Sequence, residues 1–157
     1  MAGPGDPLPP PRTRRASDKT GLLTMLGYVE TTEIDREGGR VTLVFQAALR
    51  HCNFDRVVQG GIVTGWLDVA MASAVFAMSG AGTTVSSLEI KTAYYAPVPA
   101  GEALEVTGWV ERLGRRTVFL EGEVRDPRGK VLAKASSTAT VRSPKREGRE
   151  STLGAAG

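Results

Sequence analysis

The sequence of 157 residues holds one cysteine and one histidine. A lone cysteine excludes a disulfide scaffold and any multi-cysteine zinc or iron–sulfur site. A lone histidine excludes His-rich metal sites and leaves little room for His-based catalysis. No metal-ligand spacing is present. Aromatics are few, at 6%. Charge of one sign is scarce too: 20 Lys+Arg face 17 Asp+Glu, a net charge of +3. Seven of the basic and four of the acidic residues lie in residues 1–20 and 143–157, so residues 21–142 carry 13 of each and are neutral. The folded part therefore makes no electrostatic bid for nucleic acid. The basic tails have room for an anionic partner but read more simply as solvated termini.

Residues 1–20 contain five of the nine prolines, and both tails are poor in apolar residues, so both are expected to be disordered. A secretory signal needs an uninterrupted apolar run near its start. Here prolines and charges run through Thr20, and Leu22 to Val29 is broken by Thr24 and Gly27. Arg14-Arg15 resembles a twin-arginine pair only superficially, because Asp18 and Lys19 follow it. A cytoplasmic protein of one domain, residues 21–142, is expected.

What the chain does have is a nineteen-residue apolar run from Gly60 to Met78, with Asp68 as its only ionisable residue. Its glycines, Thr64, Ser73 and Asp68 argue against a membrane span. The expectation is a helix buried almost all round, opened by Gly60-Gly61 and closed by Ser79-Gly80. Around it the pattern is strands. Tyr28–Asp35 and Arg40–Ala48 flank Glu37-Gly38-Gly39 as a hairpin. Thr83 to Tyr95 is rich in Thr, Val, Ile and Tyr. Leu104–Glu111, Val118–Arg125 and Val131–Val141 alternate at period two, with turns at Gly114-Arg115 and Asp126-Pro127-Arg128-Gly129. Ser17 to Leu26 reads as a short amphipathic helix capped by Ser17 or Asp18. The fold class is α+β: a long central helix wrapped by an antiparallel sheet of five to six strands. One face and one edge of that sheet are left for a second copy.

This order, with Asn53-(x6)-Gly60-Gly61-(x6)-Asp68 and the later Ser86-Ser87-Leu88-Glu89-Ile90-Lys91 and Tyr95-Ala96-Pro97, resembles the hotdog-fold acyl-CoA thioesterases. The closest likeness is to the phenylacetic-acid-degradation type, which includes one kind of 4-hydroxybenzoyl-CoA thioesterase. It covers about residues 21–142. The family usually carries His before the two glycines; this chain has Gln59, as one variant of the pattern does. The resemblance implies hydrolysis of an acyl-CoA to free acid and CoA, with no cofactor beyond the CoA of the substrate. It implies a homodimer, often a dimer of dimers, with each site shared by two subunits. Asn53 and Gly60 would come from one subunit and Asp68 from the other. Asn53 would orient the carbonyl or the water, and the Ser87 hydroxyl would help to hold that water.

The chemistry can be argued beside the resemblance. A helix start offers unpaired N–H groups and a positive dipole end, and glycine lets a substrate carbonyl come close. Gly60, with Gly61, is the candidate oxyanion donor. Asp68, expected to be buried among Trp66, Leu67, Val69 and Ala70, is the candidate nucleophile or general base. The two lie eight residues apart, ~12 Å along a helix. One chain cannot bring both to one thioester carbon.

Each candidate also has a plainer reading. Asp68 is then a capped buried acid, Gly60-Gly61 a tight turn, Asn53 a loop residue satisfying backbone, Ser87 a strand serine and Gln59 a polar loop residue. Arg115 and Arg116, at a hairpin, suit the phosphates of coenzyme A or a solvated turn. Trp66, Phe76, Phe54, Tyr94 and Tyr95 suit an aromatic acyl pocket or the core. His51 and Cys52 adjoin, and adjacent side chains in an extended segment point apart, so a dyad is not expected. The alternative function is a non-catalytic acyl-CoA-binding hotdog domain, which has no need of Asp68. A hotdog dehydratase wants a catalytic His with an acid, and His51 does not match that place.

Overall fold

A computed structural model of the protein describes residues 21–80 and 82–142. The expected disordered tails, and the Ser17 or Asp18 cap, lie outside the described residues. The order of elements is α1 (Leu22–Met25), β1 (Tyr28–Asp35), β2 (Arg40–Gln46), a 3-10 turn (Leu49–His51), α2 (Gly60–Ser79), β3 (Thr84–Tyr94), β4 (Ala103–Leu113), β5 (Thr117–Arg125) and β6 (Val131–Arg142). The six strands form one antiparallel sheet in the order β1-β2-β4-β5-β6-β3, with α2 on one face. This is the α+β hotdog architecture. The β5–β6 turn closes as its residues suggest, with the Gly129 N–H donating to the Asp126 carbonyl at 2.9 Å and Gly129 at φ 82°.

The helix lies on the sheet along Val63, Trp66, Leu67, Ala70, Met71, Ala74 and Val75, all buried and spaced by threes and fours. Beneath it the sheet presents Val41, Leu43 and Phe45 from β2, and Leu104 and Val106 from β4. Val118, Leu120 and Val124 come from β5, and Ala133, Ala135 and Ala139 from β6. Phe45 stacks on Trp66, with centroids 5.6 Å apart, and the Trp66 indole N–H donates to the Leu26 carbonyl at 2.8 Å. Trp66 is thus core, not pocket lining.

One row of cross-strand partners sets how deep the helix sits: Val41, Gly108, Gly122, Ala135 and Thr92 follow one another across β2, β4, β5, β6 and β3. Its middle is built of the smallest residues. A Cβ on Gly108 would overlap the backbone of Ala70 and Met71. A Cβ on Gly122 would stand 3.2 Å from Leu67 Cδ2 and 3.3 Å from Met71 Cγ. Backbone therefore rests on backbone at Gly108, the kind of close approach that glycine permits.

The expectation of a helix buried almost all round is corrected here. Within one chain only the sheet-facing stripe is fully buried. Gly61 is exposed, and Gly65, Asp68, Ala72 and Phe76 on the far side are only half-buried. The helix is long and apolar enough to cross a membrane, but its buried stripe forms the core with the sheet.

Gly108→Ala is expected to lower unfolding free energy by about 3 kcal/mol through overpacking against the helix backbone. Gly61→Ala meets nothing within 4 Å, so it should shift stability by less than about 1 kcal/mol. Urea denaturation of both variants checks the contrast.

Candidate active site

The helix starts without a side-chain cap: Gln59, its N-cap, makes no capping bond, although its carbonyl accepts the N–H of Ile62 at 2.8 Å. The segment before it is pinned by backbone bonds, Gln59 N–H to the His51 carbonyl and Val58 N–H to the Val98 carbonyl, both 2.8 Å. The first N–H groups of α2, at Gly60 and Gly61, have no acceptor inside the helix. They carry the positive end of its dipole.

Three rungs join α2 to the edge strand β3. At the helix start the Tyr94 hydroxyl donates to the Gly60 carbonyl at 2.9 Å and stands 2.7 Å from Thr64 Oγ1. One turn on, Thr64 Oγ1 stands 3.0 Å from Thr92 Oγ1. One turn further, Ser87 Oγ donates to Asp68 Oδ1 at 2.7 Å. Gly60, Thr64 and Asp68 are spaced by four, so they form one stripe of the helix.

The strand can serve all three rungs because it is irregular. Ser87 pairs with Ala139 and Glu89 with Thr138, leaving Leu88 as an extra residue, a β-bulge. Side chains alternate faces along a strand, so the extra residue flips the parity. Ser87 before the bulge and Thr92 and Tyr94 after it then all face the helix. In a regular strand Ser87 and Tyr94 would point to opposite faces.

Asp68 is half-buried rather than buried, which corrects the expected hydrophobic cage. Its carboxylate keeps one oxygen free while Ser87 holds the other. The Ser87 proton is committed to that bond, so Ser87 fixes the carboxylate and is not itself placed as a nucleophile. Asn53 is exposed, and its Oδ1 accepts the N–H groups of Asp55 at 3.0 Å and Val57 at 3.2 Å. That oxygen shapes the loop in which Arg56 takes φ 59°; only the amide nitrogen is left for a ligand. Gln59 is exposed beside Gly60.

Other candidates separate. The Arg116 carbonyl accepts the Val141 N–H, and Val141 pairs with Val85 at the far end of β3 from Tyr94. Arg115 and Arg116 are exposed there, about 30 Å of strand away from Gly60 in the same chain. Phe54 is fully exposed, and Tyr95 is exposed. His51 is buried and committed: Nδ1 accepts the Ala48 N–H at 3.1 Å, so Nε2 carries the proton and donates to the Met25 carbonyl at 2.9 Å. Cys52 is partly buried beside it. Among the described residues no cluster of three His, Cys, Asp or Glu is placed to hold a metal. Glu123 does show a perturbed carboxyl. Burial pushes its pKa up, but the bond and charge of Arg125 at 2.7 Å, with Lys134 at 3.5 Å, more than reverse this and hold it below the ordinary value. It faces away from α2 and marks an ion pair rather than a site.

The model of the thioesterase superfamily matches residues 56–133, from the loop before α2 into β6. A phenylacetic acid degradation-related protein of Ralstonia eutropha JMP134, solved as a candidate thioesterase, is 30% identical. It superposes with a TM-score of 0.70 over 75% of this chain and 87% of its own. The chain belongs to the thioesterase superfamily. The fold is shared more widely. The Escherichia coli PaaI protein from the phenylacetic acid degradation operon is 19% identical, with a TM-score of 0.68 over 75% of this chain and 81% of its own. A Haemophilus influenzae thioesterase is 18% identical, with a TM-score of 0.71 over 79% and 84%. A candidate esterase of Caenorhabditis elegans is 34% identical over 95 residues, 57% of this chain. The chain spans about half the length of that relative, 53% of it.

Within this thioesterase-superfamily chain, sequence reasoning named Asp68, Ser87 and Gly60; the structure puts Ser87 on the carboxylate of Asp68 and Gly60 at the helix start. That reasoning missed Thr64, Thr92 and the hydroxyl role of Tyr94. The spacing of Thr64 midway between Gly60 and Asp68 was the available signal; the bulge that turns Tyr94 inward had none.

Because both ring nitrogens of His51 serve backbone groups, His51→Ala is expected to cost about 2–4 kcal/mol, leaving a buried donor and acceptor unpaired. Turnover per folded molecule should remain near that of the parent, measured on protein below its unfolding transition.

Proposed function

We propose that the chain hydrolyses an acyl-CoA thioester to the free acid and CoA, at a site completed by a second copy. The observation that carries this reading is the Ser87-held carboxylate of Asp68. It lies on the same helical stripe as the uncapped N–H groups of Gly60 and Gly61, yet ~12 Å from them. Reacting atoms must approach to ~3–3.5 Å, so one chain offers two half-sites that face different thioesters. Two copies with their α2 helices antiparallel would bring Asp68 of one to Gly60 of the other. The half-buried far side of α2, with Gly61 open to solvent, is consistent with such a neighbour. Membership of the thioesterase superfamily supports the reaction class. A fold neighbour from Streptococcus pneumoniae, 18% identical, was solved with coenzyme A.

In this reading the Gly60 N–H, with Gly61 beside it, receives the carbonyl oxygen of the thioester and the negative charge it develops. Asp68 acts from the other copy in one of two ways. As base, its free oxygen takes a proton from water, and the hydroxide adds to the carbonyl carbon. As nucleophile, it adds directly, and water later cleaves the mixed anhydride. In both, the C–S bond breaks and the CoA thiolate leaves, taking up a proton. The amide nitrogen of Asn53 and the side chain of Gln59 border the carbonyl end. Arg115 and Arg116 can meet the phosphates of a CoA bound at Gly60 only from the partner copy. The reaction calls for no metal or further cofactor. A dimer, or a dimer of dimers, is the assembly proposed.

Asp68→Asn keeps the shape of the side chain and its place beside Ser87 but removes the base. Turnover of acyl-CoA should fall at least about a hundredfold, with the unfolding midpoint and sedimentation coefficient unchanged. The assay is release of free thiol from a panel of aryl-, short- and long-chain acyl-CoAs. Full activity in the variant would overturn the role of Asp68. Tight CoA binding by a wild-type chain that releases no thiol from any of them would favour the non-catalytic acyl-CoA-binding reading.

A further inference from the structure

We infer that Tyr94 is a positioning residue for the oxyanion donors: its hydroxyl polarises the Gly60–Gly61 peptide and thereby strengthens the Gly61 N–H. The inference rests on the proposed function and assigns a role to a side chain outside the acid–serine pair.

The carbonyl of Gly60 and the N–H of Gly61 belong to one planar peptide. The Tyr94 hydroxyl donates to that carbonyl at 2.9 Å. A donor on the oxygen of an amide draws electron density from its nitrogen, and chained hydrogen bonds reinforce one another in this way. The N–H of Gly61 points out of the helix start without an intrahelical acceptor. The gain therefore falls on a group that a substrate oxygen can reach, rather than on a bond already made.

The hydroxyl is itself held. With its own proton on the Gly60 carbonyl, Tyr94 Oη accepts from Thr64 Oγ1 at 2.7 Å; Thr92 Oγ1, 3.0 Å from Thr64 Oγ1, is the alternative acceptor for that one Thr64 proton. The ring packs over Gly60: a Cβ there would come within 3.0 Å of Tyr94 Oη and 3.1 Å of Cζ. A side chain at residue 60 would press on the Tyr94 ring and displace it by a few tenths of an ångström. Gly61 has nothing of its own chain within 4 Å of a Cβ, so its open space is left for what binds. The two glycines have different reasons, and both point to the peptide between them.

Tyr94→Phe tests this, because it keeps the ring and removes only the hydroxyl. In amide NMR spectra of the full chain without substrate, the Gly61 15N resonance should move by more than that of Gly60. In the thiol-release assay kcat should fall about tenfold with KM within about twofold. Thr64→Val should give the same kcat signature at smaller amplitude, since the hydroxyl loses one support and keeps the other. A Gly61 resonance that stays in place, or a change confined to KM, overturns the inference. A wild-type chain that hydrolyses no acyl-CoA would instead remove the proposed function. The spectral comparison still decides whether Tyr94 polarises that peptide.

Discussion

The contact on which the rest depends is the backbone of Ala70 and Met71 resting on Gly108. Apolar burial drives α2 onto the sheet, but burial is non-directional and does not fix a depth. The depth comes from the row of small residues, Gly108, Gly122 and Ala135, that crosses the sheet under the middle of the helix. That row ends at Thr92 on β3, where the packing changes from methyls to hydroxyls. A helix raised by one methyl group would still be buried. It would stand too far from β3 for hydrogen bonds of 2.7–3.0 Å to Ser87, Thr92 and Tyr94.

The seam between α2 and β3 is therefore polar where the stripe of the helix that rests on β2, β4 and β5 is apolar. Its three rungs hold an acid at one level and a helix start at another, two turns apart. Neither is complete as a reaction centre. On the proposed reading, and among the described residues of one chain, the acid lacks an oxyanion donor beside it and the donors lack a base. On the proposed reading this incompleteness is the design: separation along one rigid helix becomes juxtaposition when a second helix runs the other way. The far side of α2 is half-buried in one chain, and β3 is an edge strand of its sheet.

Most of the architecture was legible because it rests on periodicity. The alternation in residues 104–111, 118–125 and 131–141 and the apolar run from Gly60 to Met78 set four of the elements, and the turn residues set their limits. Asp68 stood out as the one charge in that run, and Ser87 through its family likeness. Three things were not legible. The bulge at Leu88 carries no residue signature, and it decides which β3 side chains face the helix. The half-exposure of Asp68 was misread because a uniformly apolar helix gives no sign of which face the chain itself covers. The commitment of His51 is local at Ala48 but depends also on Met25, 26 residues away in sequence, which local pattern does not register.

The central claim is that each reaction centre takes its acid from one copy and its N–H donors from another. Mixing two inactive variants tests it most directly: Asp68→Ala, and Gly60→Pro, which removes one donor N–H at a position with no intrahelical bond to lose and crowds Tyr94 beside the other. If sites are shared, each mixed dimer regains one intact site, and an equimolar mixture should recover about a quarter of wild-type thiol release. If each site lies within one chain, every chain in the mixture carries a lesion. Mixed dimers shown to assemble would then recover nothing, contradicting the account.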